Sequence, residues 1–235
     1  MPSAISFISW SDTKYRMQAR VVVLGASRVG KTAIIKQFVE NSFPEHHDAT
    51  VEEWYSTEFD MGNNGTLTLN ILDTAGTGFP EMRRMEIKNF EAFILVFDVN
   101  DYDSFEEVRC LRERIIEAKR KPATTTNADI SEVNYPPIVI VGNKNDSPSK
   151  RVVSKELAET ISTIDWENGY VDASAKEDVN VCEVFRELSI QAKFPPFVTR
   201  AIKKENVRRK SLPAYPTSPK IKTSTSPKRN SCALS

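Results

Sequence analysis

The chain has 235 residues, 40% hydrophobic and 27% charged, which is enough apolar material for one sizeable globular core with length left over. Its 32 basic and 32 acidic residues balance overall, but from Phe194 onward ten basic residues face Glu205 alone, so a tail of about +9 follows a body of about −9. Three cysteines (Cys110, Cys182 and Cys232) cannot close a complete disulfide set and suit a reducing compartment, and the opening MPSAISFISW, with neither a basic start nor a long apolar run, excludes a signal peptide or membrane span there.

Residues 1–18 read as an N-terminal extension and 19–193 as one folded domain. RVVVLG is a short β-branched run of the kind found in buried strands, and TAIIKQFVE has helical spacing. Between them lies GASRVGKT, residues 25–32. Gly25 and Gly30 let consecutive backbone N–H groups converge on a phosphate at the positive end of the helix. Lys31 then reaches the β- and γ-phosphates, and Thr32 offers its hydroxyl to Mg²⁺. The bland alternative is a glycine turn that happens to precede a helix.

Next come WYSTEFD and TLTLNIL, an edge pair of strands, and DTAG at residues 73–76. This places Asp73 at a strand's carboxyl end, as a carboxylate behind the metal's own ligands, and leaves the Gly76 N–H to a γ-phosphate. PEMRRMEIKNF reads as a helix, AFILVFDV as a strand and SFEEVRCLRERIIEAKR as a helix; residues 121–135 look like a surface insertion. After the strand PPIVIVG stands NKND, residues 143–146. Asp146 can accept both donors on the N1–N2 edge of guanine, which adenine cannot offer; Asn143 fixes the loop and the Lys144 stem covers the ring. A helix (SKELAETIST), a strand (NGYVDAS) and SAK follow, in which Ser174, Ala175 and Lys176 bring a backbone N–H to the base oxygen; VNVCEVFRELSIQAK is the last helix. Cys110 and Cys182 fall on helices as packing residues, and His46 and His47, the only histidines, make no metal set.

Alternating strands and helices predict an α/β fold, a mostly parallel sheet with helices on both faces and ligands at the carboxyl ends of the strands. NKND alone is a polar turn and SAK alone a helix start. Four motifs in this order, each after a strand, point to a guanine nucleotide, GTP or GDP, rather than ATP.

GASRVGKT, DTAG, NKND and SAK, together with Thr50 in HHDATVEEWY, resemble the Ras family of small GTPases over residues 19–193. YRMQARVVVLGASRVGKTAIIKQF, FPEMRRMEI and FILVFDVNDYDSFEEVRCLRERI are most similar to the Dexras and Rhes branch, with Di-Ras next. The resemblance implies a P-loop domain with a six-stranded sheet and a phosphate cradle from Gly25, Ser27, Arg28, Val29, Gly30, Lys31, Thr32 and Ala33. It makes Phe43 the edge contact to guanine, Thr50 a metal ligand that senses the γ-phosphate, and Lys31, Thr50, Gly76 and Thr77 the hydrolytic group. Loss of the phosphate then releases Thr50 and Gly76 together. Val51, Glu52, Glu53, Trp54 and Tyr55 form the acidic edge that takes a strand from a basic effector, while an exchange factor and a GAP set the nucleotide state.

Two departures bear on hydrolysis. Ras proteins that hydrolyse GTP readily carry glycine at the position of Ser27 and glutamine at that of Thr77. Thr77 is too short to place the attacking water, and Ser27 intrudes where a GAP's arginine enters, so intrinsic hydrolysis should be slow. The Arg28 side chain points outward in such loops. DTAGTGFPEM is also one residue shorter than its Dexras counterpart, and His47 and Ala49 replace tyrosine and proline. A cycling switch and a GTP-resident binding module with negligible hydrolysis are both compatible with these residues.

Residues 194–235, rich in Pro, Ser and Thr, are expected to be a disordered tail ending in CALS, a CaaX box whose terminal serine favours farnesylation of Cys232 by a prenyltransferase. One lipid anchors marginally, and the basic tail supplies the second signal toward an anionic membrane surface on the cytoplasmic face of the cell membrane. RRKSL makes Ser211 a basophilic-kinase site or else part of a plain basic run, and Ser218 and Ser226 are weaker candidates. Without interleaved aromatics the tail does not fit nucleic acid.

Overall fold

Val21, Val22, Val23 and Leu24 are all buried, a pattern a strand reaches only when both faces of its sheet are covered. The computed structural model describes residues 16–45, 50–60, 65–76, 80–120, 135–147 and 150–193. In chain order these form β1 (Arg16–Leu24), α1 (Lys31–Glu40), β2 (Glu52–Asp60), β3 (Thr66–Thr74), α2 (Pro80–Asn89), β4 (Ala92–Asp98), α3 (Tyr102–Lys119), β5 (Ile138–Asn143), α4 (Lys155–Thr160), β6 (Gly169–Asp172) and α5 (Val181–Gln191). The strands make one six-stranded sheet in the order β2-β3-β1-β4-β5-β6. Every pairing is parallel except β2 with β3, so β2 is an antiparallel edge strand. Parallel strands share a direction, and the loops after β1, β3, β5 and β6 therefore open on one side of the sheet. Thr77, His46, His47, Ala49, the N-terminal segment 1–15, most of the insertion, and the tail with Ser211 and Cys232 lie outside the described residues.

The period-2 alternation of β1 divides the core. Val21 and Val23 join Ile34, Phe38, Val184 and Phe185 beneath α1 and α5, while Val22 and Leu24 join Phe93, Phe97, Phe105 and Leu111 beneath α2 and α3. Phe38 and Phe185 stack with centroids 3.6 Å apart and rings 10° from parallel, which fixes α1 against α5. Helix starts follow local chemistry: the Asp101 side chain accepts from the Asp103 N–H at 3.1 Å to begin α3, and Ser154 Oγ accepts from the Leu157 N–H at 3.2 Å to begin α4.

Two expectations change. The helix read over SKELAETIST ends as α-helix at Thr160 and widens into a π-helical turn, Ile161–Asp165. There Thr163 Oγ1 donates back to the Glu159 carbonyl at 2.7 Å, a bond that competes with regular helical geometry. Cys110 is exposed rather than a packing residue, because α3 turns Phe105, Val108, Leu111 and Ile115 inward and leaves position 110 on the outer face. Cys182 is half-buried against the α1–α5 side of the core.

Truncating Phe185 removes one ring of the stack that joins α1 to α5. Phe185→Ala should lower unfolding stability by about 3–5 kcal/mol, read from the urea midpoint at unchanged slope.

Candidate functional site

The loop after β1 turns through left-handed backbone at Gly25 (φ 146°), Arg28 (φ 63°) and Gly30 (φ 99°). At Gly30 a side chain is excluded twice over: by φ, and because an added Cβ would lie 2.2 Å from Asn143 Nδ2. No side chain caps α1, so the N–H groups of its first turn are left to the loop's concave side. Lys31 is 6% exposed, and its ammonium donates to the carbonyls of Gly25 (3.1 Å) and Ala26 (2.8 Å), with a third donor remaining. Burial lowers its pKa to about 8, with Asp73 opposing that fall. Val29 and Ala33 are buried, whereas the Ser27 and Arg28 side chains face solvent.

Beside this cradle three hydroxyl and carboxylate groups meet. Thr32 Oγ1 donates to Asp73 Oδ2 at 2.6 Å and lies 2.9 Å from Thr50 Oγ1. Asp73 has no solvent exposure, and its second oxygen, Oδ1, is buried without a hydrogen-bond partner among the described residues. Burial raises its pKa to about 6 despite the Thr32 bond and the Lys31 charge. A cluster of hard oxygens with an orphaned carboxylate oxygen suits a divalent cation such as Mg²⁺. Gly76 follows immediately: an added Cβ would fall 2.2 Å from Ser27 Cα, so Ser27 and Gly76 form adjoining backbone walls.

On the other side, Asn143 bridges three loops. Its Nδ2 donates to the Val29 carbonyl at 2.8 Å, and its Oδ1 accepts from the Ala175 N–H at 3.1 Å. The N–H of Ala175 is therefore engaged in holding the loops together. Ser174 Oγ donates to Asp146 Oδ1 at 2.7 Å and accepts from the Glu177 N–H at 3.1 Å, which orients the Asp146 carboxylate. Lys144, at φ 69°, sends its ammonium to Asp98 Oδ2 at 2.7 Å, fixing its stem at the end of β4. Lys176 is exposed, and Phe43 is 44% exposed beyond α1.

Just before β2, Val51 is 79% exposed, and Glu52, the first residue of β2, is also exposed. Tyr55 instead turns into the core at 2% exposure, and its hydroxyl donates to Glu53 Oε2 at 2.7 Å; at that position the edge offers backbone only. Trp54 stacks on Phe90 at the end of α2, centroids 5.5 Å apart. Sequence reasoning missed several participants. Arg83 donates to the Gly76 carbonyl at 2.8 Å and pairs with Glu107 of α3, and Asp98 anchors Lys144. An isolated Arg, Glu or Asp on a helix or strand carries no motif, so only the fold reveals these partners.

Cradle, cation corner and base loops at the strand ends define a P-loop nucleotide-binding domain. The Ras family model matches residues 20–193. GTP-binding protein Rhes from mouse and from rat is 38% identical over 187 residues, covering 78% of this chain and 68% of the relative; the human protein is 37% identical over the same length. The chain belongs to the Ras family, with its resemblance on the Rhes and Dexras side, and is thus a small GTPase, an enzyme that hydrolyses GTP.

The Asp73 carboxyl binds its proton more tightly when folded than the ordinary carboxylate near 3.9, so without metal it costs stability as pH rises from about 4 to 6. In EDTA, the difference in unfolding free energy between Asp73→Asn and the parent should move by about 3 kcal/mol in favour of the variant between pH 4 and 7, as measured by urea unfolding.

Proposed function

We propose that this small GTPase is a membrane-anchored switch that alternates between Mg²⁺–GTP and GDP, hydrolyses GTP slowly on its own, and signals through the β2 edge. The observation that supports it most is the Thr32–Thr50 contact of 2.9 Å at the hydroxyl that also donates to Asp73. Thr50 stands directly before Val51 and β2, so whatever holds Thr50 at the cation corner also sets the start of the exposed edge strand.

Bound Mg²⁺ would neutralise phosphate charge, with Thr32 and Thr50 as its hydroxyl ligands and Asp73 standing behind. Lys31 supplies a fixed positive charge to the β- and γ-phosphates, and the Gly76 N–H registers the γ-phosphate. Asp146, oriented by Ser174, reads the guanine edge. When the γ-phosphate leaves, Thr50 and Gly76 lose a shared partner and their loops relax. The exposed Glu52 carboxylate and the backbone of β2, which pairs on one side only among the described residues, then no longer offer the same edge to a basic effector strand. An exchange factor and a GAP would control the two transitions.

Slow hydrolysis rests on Ser27 and Thr77. The Ser27 backbone lies against Gly76 and its side chain is exposed, so serine adds bulk where a helper arginine would enter, and threonine at 77 lacks glutamine's reach toward water. The same two residues favour a second reading, in which the protein keeps GTP bound and serves as a binding module. Membrane attachment rests on Cys232 in CALS and on the basic tail.

Single-turnover hydrolysis of preloaded Mg²⁺–GTP should run below the ordinary Ras rate, on the order of 10⁻⁴ per second, and Thr77→Gln should raise it about tenfold. A parent rate at or above that order overturns slow hydrolysis; a rate too low to measure, with GTP retained, selects the binding module. Cys232→Ser should move the protein from the membrane to the soluble fraction of cells, and unchanged membrane retention would show that the lipid is dispensable.

A further inference from the structure

Beneath the two base-reading loops lies a guanidinium whose N–H groups all have acceptors. Arg151, between β5 and α4, has a side chain only 15% exposed, and its partner Asp172 only 7%. Arg151 Nη1 and Nη2 donate to Asp172 Oδ2 and Oδ1 at 2.7 and 3.0 Å. Nη1 also reaches Asn145 Oδ1 at 3.2 Å, Nη2 the Tyr170 hydroxyl at 3.4 Å, and Nε the Val153 carbonyl at 2.7 Å. Tyr170 in turn donates its hydroxyl proton to Asp172 Oδ1 at 2.8 Å. Such a forked, bidentate grip fixes direction as well as distance.

Asn145 is the immediate neighbour of Asp146, and its own N–H donates to the Ala173 carbonyl at 3.2 Å. Asp172 stands two residues before Ser174, the side chain that orients Asp146 at 2.7 Å. Arg151 thus touches a residue close to each half of the Ser174–Asp146 pair, one on the loop after β5 and one at the end of β6. The neighbouring backbone makes room for this group: a Cβ at Gly142 would lie 2.8 Å from the Tyr170 hydroxyl and 2.9 Å from Asp172 Oδ1.

We propose that Arg151 is a positioning residue for base specificity: by gripping Asn145 and Asp172 together it sets the spacing of the two loops and aims the Asp146 carboxylate at the base. This rests on the guanine reading of Asp146 above. A purely structural ion pair would hold the fold without favouring one base over another, and the two roles separate when nucleotides differing at the read edge are compared. Inosine diphosphate lacks the exocyclic amine that Asp146 is read to accept, and is otherwise the same ligand as GDP.

The experiment measures release of GDP and of inosine diphosphate from the full-length parent and from Arg151→Met, Arg151→Lys and Asp172→Asn, each first shown by nucleotide-saturated thermal unfolding to be folded. The parent should release GDP more slowly than inosine diphosphate. Arg151→Met should speed GDP release by about tenfold, the weight of one charged hydrogen bond, and inosine diphosphate release by much less. Arg151→Lys, with the charge but not the fork, should narrow the gap as well, and adding Asp172→Asn to Arg151→Met should narrow it no further. Equal acceleration for both nucleotides overturns the proposal, as does full retention of the gap in Arg151→Lys. If Arg151→Met does not fold, Asp172→Asn carries the same comparison. A parent that does not distinguish the two nucleotides overturns the guanine reading, and the proposal with it.

Discussion

One carboxamide holds the site together. Asn143 at the end of β5 donates to Val29 in the phosphate loop and accepts from Ala175 after β6, so loops far apart in sequence are joined through two bonds of a single buried side chain. Neither bond can be exchanged for water where Asn143 sits, at 2% exposure, and leaving either partner unsatisfied would cost the desolvation of a buried amide or carbonyl. The bareness of Gly30 follows from the same contact, since the amide nitrogen occupies the place a side chain would take. The loop after β1 and the loops after β5 and β6 are therefore not independent parts resting on a common sheet. They share one polar atom group, and the parallel strands are what bring it within reach of both.

The cation corner follows a different logic. Burial works against the charged forms of both Lys31 and Asp73, lowering one pKa to about 8 and raising the other to about 6. Among the described residues each still shows an unmet capacity: a spare ammonium donor on Lys31 and an orphaned oxygen on Asp73. Such groups are costly in a folded protein unless something of opposite charge completes them. A phosphate for Lys31 and a divalent cation at the Thr32–Asp73–Thr50 group would do so, which ties nucleotide occupancy to the stability of the fold itself.

The fold and the loop motifs were readable from sequence because each depends on local chemistry. RVVVLG needs a two-sided sheet, GASRVGKT needs glycine where φ is positive, and DTAG and NKND take their meaning from standing directly after strands. Orientation within β2 was not readable. EEWYSTEFD alternates bulky and polar residues in a way that leaves the buried face open, and only pairing with β3, Tyr55 opposite Ile71, sends Tyr55 inward and leaves Glu52 outside. Arg83 and Arg151 were invisible for a related reason. Their partners, Glu107 and Asp172, lie 24 and 21 residues away, and a lone arginine in a polar stretch looks the same whether it is solvated or gripping a loop. The widening after Thr160 likewise arises from a side chain bonding its own backbone, a competition that helical spacing does not reveal.

The edge position of β2 has a consequence for the solution behaviour of the protein. Among the described residues β2 pairs on one side only, and a nine-residue strand edge of that kind is open to pairing with another copy of itself, the usual route to sheet-to-sheet aggregation. This edge begins with Glu52 and Glu53 and carries an exposed Glu58 farther along, so two copies meeting edge to edge would bring carboxylates of like sign together. A basic strand meets no such repulsion. The acidic residues thus act as a filter: they disfavour pairing of this edge with a second copy of the chain. Because the filter is electrostatic and exposed, it reaches only about 8 Å at physiological ionic strength and fades as salt rises.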